Sequence, residues 1–198
     1  HKLWHTLGPG ILSLSLVIQS CHARIRLDLD NVAVLSRSCP NITELAFGYS
    51  SWADPLELER REALLGTLCR AYRQTLVSIS MEGVLVSDPF ALQLSRRARY
   101  PRLTRVALLN CRWQSPATVR SVLTTLGPLV TKIRDLDAHH RGLGSLLRDH
   151  CPNLEELDIR TDLDWAIRGF RLDAYLGSKL KMFSFQGFIP FGHVVQGI

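Results

Sequence analysis

The stretch CPNITELAF at residues 39–47 returns as CPNLEELDI at residues 151–159. Each sets apolar residues three and then two positions apart: Ile42, Leu45 and Phe47 in the first, Leu154, Leu157 and Ile159 in the second. The end of the phrase alternates apolar with interleaved residues, which is the period of a strand with one face buried, because successive side chains leave a strand on opposite sides. Working outward, the same apolar spacing recurs at Leu103, Val106 and Leu108 in YPRLTRVALLNC, and less cleanly at four further places. These are Ile11, Leu14, Leu16; Leu76, Ile79, Met81; Ile133, Leu136, Ala138; and Leu180, Phe183, Phe185. Seven copies, starting 21 to 34 residues apart, argue for a repeated unit.

Between copies the apolar period turns helical. Pro55 opens a segment whose Leu58, Ala63, Leu65 and Leu68 suit one helix face. Ser115-Pro116 reads as an N-cap followed by a first-turn proline, and Asp30, Asp88 and Asp164 read as helix starters of the same type. The unit is strand, loop, helix and return. One such unit cannot bury its own apolar face, whereas stacked units share a core between a parallel sheet and a helical layer. The expected fold is therefore α/β, a leucine-rich-repeat solenoid: a right-handed β-α superhelix with a curved parallel sheet and helices on the convex side. Residues 1–198 read as a single array of about seven irregular repeats, a segment of a longer protein.

At CPNITELAF, VALLNC and CPNLEELDI the chain resembles the cysteine-containing, ribonuclease-inhibitor-like leucine-rich repeats of F-box proteins. Cys39-Pro40 and Cys151-Pro152 match the turn from helix to strand, Tyr100-Pro101 stands in for it once, and Cys111 matches a core-facing cysteine after the strand. The resemblance implies a substrate-recognition region of an E3 ubiquitin ligase receptor, in which an F-box docks to a cullin-type ligase adaptor. No F-box is recognisable in this chain, so the adaptor is a partner only if an F-box lies outside it. A generic repeat scaffold unrelated to ubiquitin is the alternative reading. An α/β enzyme is a more distant one, because the strands of barrels and doubly wound sheets are buried on both faces and read as near-continuous apolar runs, unlike LEELDI.

In such a phrase the interleaved residues line the concave, solvent-facing side of the sheet. That assigns Glu44; Ser78, Ser80 and Glu82; Arg105; Asp135, Asp137 and His139; Glu156, Asp158 and Arg160; and Gln186 to a partner-binding face. With neighbouring strands about 4.8 Å apart, Asp135, Asp137, Glu156 and Asp158 are expected to gather within about a nanometre, a surface for a basic segment of a client protein. A solvated acidic face relieved by Arg105 and Arg160 is the plainer alternative. Trp52, Trp113 and Trp165 follow strand phrases by a few residues, as rim anchors or as rings packed beneath loops. Arg96, Arg97, Arg99 and Arg102 form the densest basic stretch.

The remaining patterns exclude chemistry. His139-His140 beside Asp135 and Asp137 matches no metal-ligand spacing, GLGSLL at residues 142–147 does not complete a phosphate loop, and cysteines packed in a core have inert thiols. No enzyme activity, metal or cofactor is expected. Although 24 Lys+Arg against 18 Asp+Glu give a net charge of +6, the basic residues are spread along the chain, so no nucleic acid is expected either. The apolar runs are too short to span a bilayer, and the five cysteines form no CxxC pair, so a reduced, cytoplasmic or nuclear protein without a membrane partner is expected.

Overall fold

The computed structural model describes residues 8–18, 29–49, 55–96, 98–113, 115–137, 143–161 and 179–187. In chain order the elements are β1 (Ser13–Ile18), α1 (Leu29–Ser38), β2 (Glu44–Tyr49), α2 (Pro55–Ala71), β3 (Ser78–Glu82), β4 (Leu85–Val86), α3 (Asp88–Ser95), β5 (Arg105–Leu109), β6 (Arg112–Trp113), α4 (Pro116–Leu126), β7 (Val130–Asp137), α5 (Leu143–His150), β8 (Glu156–Thr161) and β9 (Met182–Gly187). Strands β1, β2, β3, β5, β7, β8 and β9 form one seven-stranded sheet in that order, and all neighbours in it are parallel. Each of the seven apolar phrases thus contributes one strand. Parallel neighbours need a crossover, and α1 to α5 supply the crossovers from β1 through β8. The protein is an α/β protein built on a parallel sheet. No helix among the described residues is long and apolar enough to cross a membrane.

One side of the sheet is sealed. Leu45, Ile79 and Val106 stand in register across β2, β3 and β5, as do Phe47, Met81 and Leu108, and none of the six is more than 1% exposed. Against them pack Leu65, Leu68 and Cys69 of α2, Phe90, Ala91 and Leu94 of α3, and Val119, Val122, Leu123 and Leu126 of α4. The helical stripe of α2 departs from its expected phase. Ala63 is exposed, and the buried side chains are those of Arg61, Leu65, Leu68, Cys69 and, just past the helix end, Tyr72, which follow one helix face with Gly66 buried among them.

Local chemistry sets the helix starts. Ser115 Oγ accepts from Thr118 N at 3.2 Å ahead of Pro116, as its sequence implies. At α3 the cap is Ser87 rather than Asp88: Ser87 Oγ accepts from Phe90 N at 3.3 Å, and Asp88 occupies the first turn, where a negative charge meets the positive end of the helix dipole. The Ser87 cap is itself held by α2, since Ser87 N and Oγ both donate to the Glu62 carboxylate, at 2.8 and 2.7 Å.

The Cys-Pro-Asn turns have a second half that lies far away in sequence. Short 3-10 turns at Gly8–Gly10 and Gly127–Leu129 abut them. Asn41 Nδ2 donates to the Pro9 carbonyl at 2.8 Å and Asn153 Nδ2 donates to the Pro128 carbonyl at 2.7 Å, the same bond made twice. In each case the glycine before the proline sits so near the carbonyl of the residue preceding the cysteine (Ser38 or His150) that a Cβ has no room. Gly-Pro and Cys-Pro-Asn are therefore two parts of one joint between successive units.

Candidate functional site

Sheet residues interleaved with the sealed positions form an open face. Ser13, Ser15, Glu44, Glu82, Arg105, Arg134 and Met182 are exposed, and Ser78, Ser80, Ala46, Ala107, Lys132, Glu156, Asp158 and Ser184 are partly so; Gly48, which follows the same alternation, is buried. From β1 to β5 this face is a floor of short side chains, Ser15, Ala46, Ser80 and Ala107, which are register neighbours. A charged pair crosses it: Arg105 Nη2 meets Glu44 Oε1 at 3.2 Å, reaching over Ser78, the residue in register between them. At the other margin Asn110 donates to Glu82 Oε1 at 3.2 Å. Asn110 has φ 50 and Gly83, following the neighbouring strand, has φ 63, so both strands leave the sheet through a left-handed residue. That turn aims Cys111 inward, where its thiol donates to the Met81 carbonyl at 3.4 Å, and it starts the small parallel pairing of β4 with β6.

The register of β7 sets cations beside the described part of the expected carboxylate cluster, whose Asp135 and Asp137 side chains lie outside the described residues. That strand begins at Val130, earlier than the phrase Ile133, Leu136, Ala138 implies, and carries irregularities against both neighbours. Val130 pairs with Val106 and Ile133 with Leu108 on one side; on the other, Ile133 pairs with Leu157 and Leu136 with Ile159. Ile133 therefore faces the last apolar position of β5 but the middle one of β8, and the repeat phase slips by two residues across the sheet. The consequence is electrostatic. Glu156 has Lys132 as its register neighbour, not an aspartate, and its two carboxylate oxygens meet Lys132 Nζ at 2.6 Å and Arg134 Nη2 at 3.4 Å. The Lys132 hydrogen bond, with Arg134 adding to it, holds the Glu156 carboxyl below the usual glutamate range. Asp137 has Arg160 as its register neighbour. Glu156 is thus flanked by two cations within the region where an acidic patch was expected.

Asp158 Oδ1 lies closed off from solvent without a hydrogen-bond partner among the described residues. The side chains of Asp135, Asp137, Arg160 and Gln186 lie outside the described residues, as do His139, Trp52 and Trp165 altogether. Trp113 is half-buried and packs against the core. The phrase beginning at Ile133 leaves Lys132 outside it and sets Arg134 beside the first core position, so the apolar spacing places neither on the open face. The signal that places both is the Gly127-Pro128 turn, which starts β7 at Val130.

Because Glu156 is held below its ordinary range in the fold, its contribution to stability is present above the unfolded glutamate range and is lost as pH falls through the folded value. Glu156→Gln is expected to cost about 0.5 kcal/mol near neutrality, an exposed-pair magnitude. The difference from the unmodified chain should shrink at an acidic pH below the usual glutamate range, as Glu156 becomes protonated in the fold as well. Urea melts at the two pH values check this.

Cys39, Cys69, Cys111 and Cys151 are free and buried, and desolvation pushes the thiols of Cys69, Cys111 and Cys151 up to about 12 and that of Cys39 up as well, which disfavours the thiolate. Among the described residues no three His, Cys, Asp or Glu side chains gather where they could hold a metal ion. Compared with models of known protein families and with curated proteins, the chain matches none.

Proposed function

We propose that this chain is a leucine-rich-repeat solenoid acting as a protein-binding scaffold, with the open face of its sheet as the surface that receives a client. The observation that carries the reading is the ordering of seven recurring phrases into seven parallel strands in chain sequence, sealed on one side and open on the other. A doubly wound enzyme reverses its strand order to make a ligand crevice and covers both faces of the sheet. Here the order never reverses, and the uncovered face carries Ser80, Glu82, Arg105, Lys132 and Glu156. The mixed charge around Glu156 favours a client with both signs of charge over a purely basic one, since like-charge contacts discriminate against a single-sign partner.

The finer reading is a substrate-recognition region of an F-box-type ubiquitin ligase receptor, with a cytoplasmic or nuclear location. Its support is the resemblance at Cys39-Pro40, Cys151-Pro152 and the buried Cys111. A generic scaffold unrelated to ubiquitin is supported by the same face.

Two measurements test these levels separately. A photo-crosslinking residue placed at Ser80 in the full-length protein is expected to form discrete adducts in cells, whereas the same residue at the exposed Thr124 of α4 is not. Equal labelling at the two sites, or none at Ser80, removes the open face as the client site. Co-purification of a cullin-ligase adaptor with the full-length protein supports the ubiquitin role, and its absence leaves the scaffold alone.

A further inference from the structure

The turns that carry the chain from each helix into the next strand form one rim of the sheet, distinct from the open face. Tyr72 closes α2, its amide donating to the Leu68 carbonyl, and Tyr100, five residues past α3, closes a separate turn by donating to the Arg96 carbonyl. Val77 and Thr104 then join successive turns, with Thr104 N donating to the Val77 carbonyl at 3.0 Å. A side-chain bridge ties the two turns together: Arg70 reaches Gln93 Oε1 at 3.3 Å, and Gln93 Nε2 donates to the Tyr100 hydroxyl at 3.0 Å. On this tied pair of turns Arg73, Arg96, Arg99 and Arg102 are all exposed.

Their electrostatic situation differs from that of every described carboxylate near this end of the strands. Glu44 is held by Arg105, Asp149 by Arg148, Glu155 by Lys181, and Glu156 by Lys132 and Arg134. Arg73, Arg96, Arg99 and Arg102 make no ion pair and no side-chain hydrogen bond among the described residues. The helix dipole does not account for them all, because its attraction for cations fades within the last turn. Arg96 caps α3, but Arg73 stands two residues past the end of α2, and Arg99 and Arg102 stand four and seven past the end of α3. The rim therefore offers several guanidinium groups unpaired among the described residues, carried on two hydrogen-bonded turns about one strand spacing apart.

We propose that this rim docks an acidic segment of a protein partner, with Asp and Glu carboxylates taken by Arg73, Arg96, Arg99 and Arg102. Guanidinium groups match carboxylates through paired, parallel hydrogen bonds. The other polyanions fit less well. The two aromatic rings in these turns, Tyr72 and Tyr100, are buried, so no stacking platform for unpaired bases is presented. No large apolar side chain is exposed on the turns to enter a lipid surface. The proposal does not depend on the open face being a client site, since no residue is shared between the two.

The test uses the whole chain and a fluorescein-labelled peptide of about ten residues alternating glutamate with serine, followed by fluorescence anisotropy. The paired variant Arg99→Glu, Arg102→Glu is expected to weaken binding at least tenfold. Arg60→Glu, Arg120→Glu, which changes net charge equally at exposed positions in the first half of α2 and midway along α4, is expected to leave it within twofold. Arg99→Gln, Arg102→Gln should give an intermediate loss, and circular dichroism should show all three variants folded, as expected for exposed positions. Binding that weakens with added salt and is abolished when the peptide's glutamates become glutamines supports the proposal. Equal loss in the two charge-reversed pairs, or none in either, overturns it. So does tighter binding of a single-stranded oligonucleotide or of anionic phospholipid vesicles that is lost with the same rim arginines.

Discussion

Gly127→Ala is expected to destabilise the protein by about 3 kcal/mol, although helix propensity alone points the other way. Gly127 follows α4 with φ −47 and ψ −41, an ordinary right-handed helical conformation. Alanine is favoured over glycine there by about 1 kcal/mol on backbone grounds. What forbids it is the neighbour across the joint. A Cβ would overlap the carbonyl of His150 and crowd Cys151 Sγ at 3.1 Å, and a backbone carbonyl cannot swing aside as a flexible side chain can. Relieving the overlap means separating the Gly-Pro turn from the Cys-Pro turn, which stretches the bond from Asn153 to the Pro128 carbonyl. Overpacking of this type costs typically 1–3 kcal/mol, and loss of a hydrogen bond adds roughly one more. For a chain of this size a loss of about 3 kcal/mol lowers the melting temperature by roughly 6–12 °C. Gly8→Ala should behave alike, because Gly8 meets Ser38 and Cys39 in the same way. A Gly127→Ala chain that melts at or above the original temperature would show that propensity wins and that the joint is loose.

The same joint shows what was legible in the sequence and what was not. Apolar spacing located all seven strands of the main sheet, because a residue's side of a strand depends only on its parity within a few positions. Cys39-Pro40 and Cys151-Pro152, each followed by an asparagine, marked two of the turns through the resemblance they carry. The partners of those asparagines, Pro9 and Pro128, lie 32 and 25 residues upstream, and no local pattern joins a carbonyl to an amide at that distance. Register is a relation between strands, so the slip at β7 could not be read from Ile133, Leu136 and Ala138 alone. A one-residue error in register exchanges the two faces of a strand, and the irregularities at β7 carry the phase on by two, which changes which charges become neighbours. That is why the sheet was legible while the charge pattern on its open face was not. The rim arginines are the converse case. Their density was plain in the sequence, but that they lie on tied turns and lack partners among the described residues is a property of the fold alone.

Ile79→Ala is the second large expected effect, and it tests which face of the sheet is sealed. Ile79 stands between Leu45 and Val106 in the central column and is fully buried. Removing its outer carbons leaves a cavity lined by close-packed neighbours on adjacent strands, and truncations of this kind cost about 2–5 kcal/mol. Ser80 is one residue away, on the opposite side, partly exposed and flanked in register by Ala46 and Ala107. Ser80→Ala removes one hydroxyl from a face that already carries alanines, so the cost should stay within about 0.5 kcal/mol. Urea unfolding of the two variants provides the comparison, and the shape of the curve adds to it. In an array stabilised by nearest-neighbour contacts, weakening a middle strand uncouples the units on its two sides. Ile79→Ala should therefore broaden the transition as well as shift it, whereas Ser80→Ala should do neither. Comparable losses from both substitutions would mean that β3 is covered on both faces, and the open face proposed for the client would not exist.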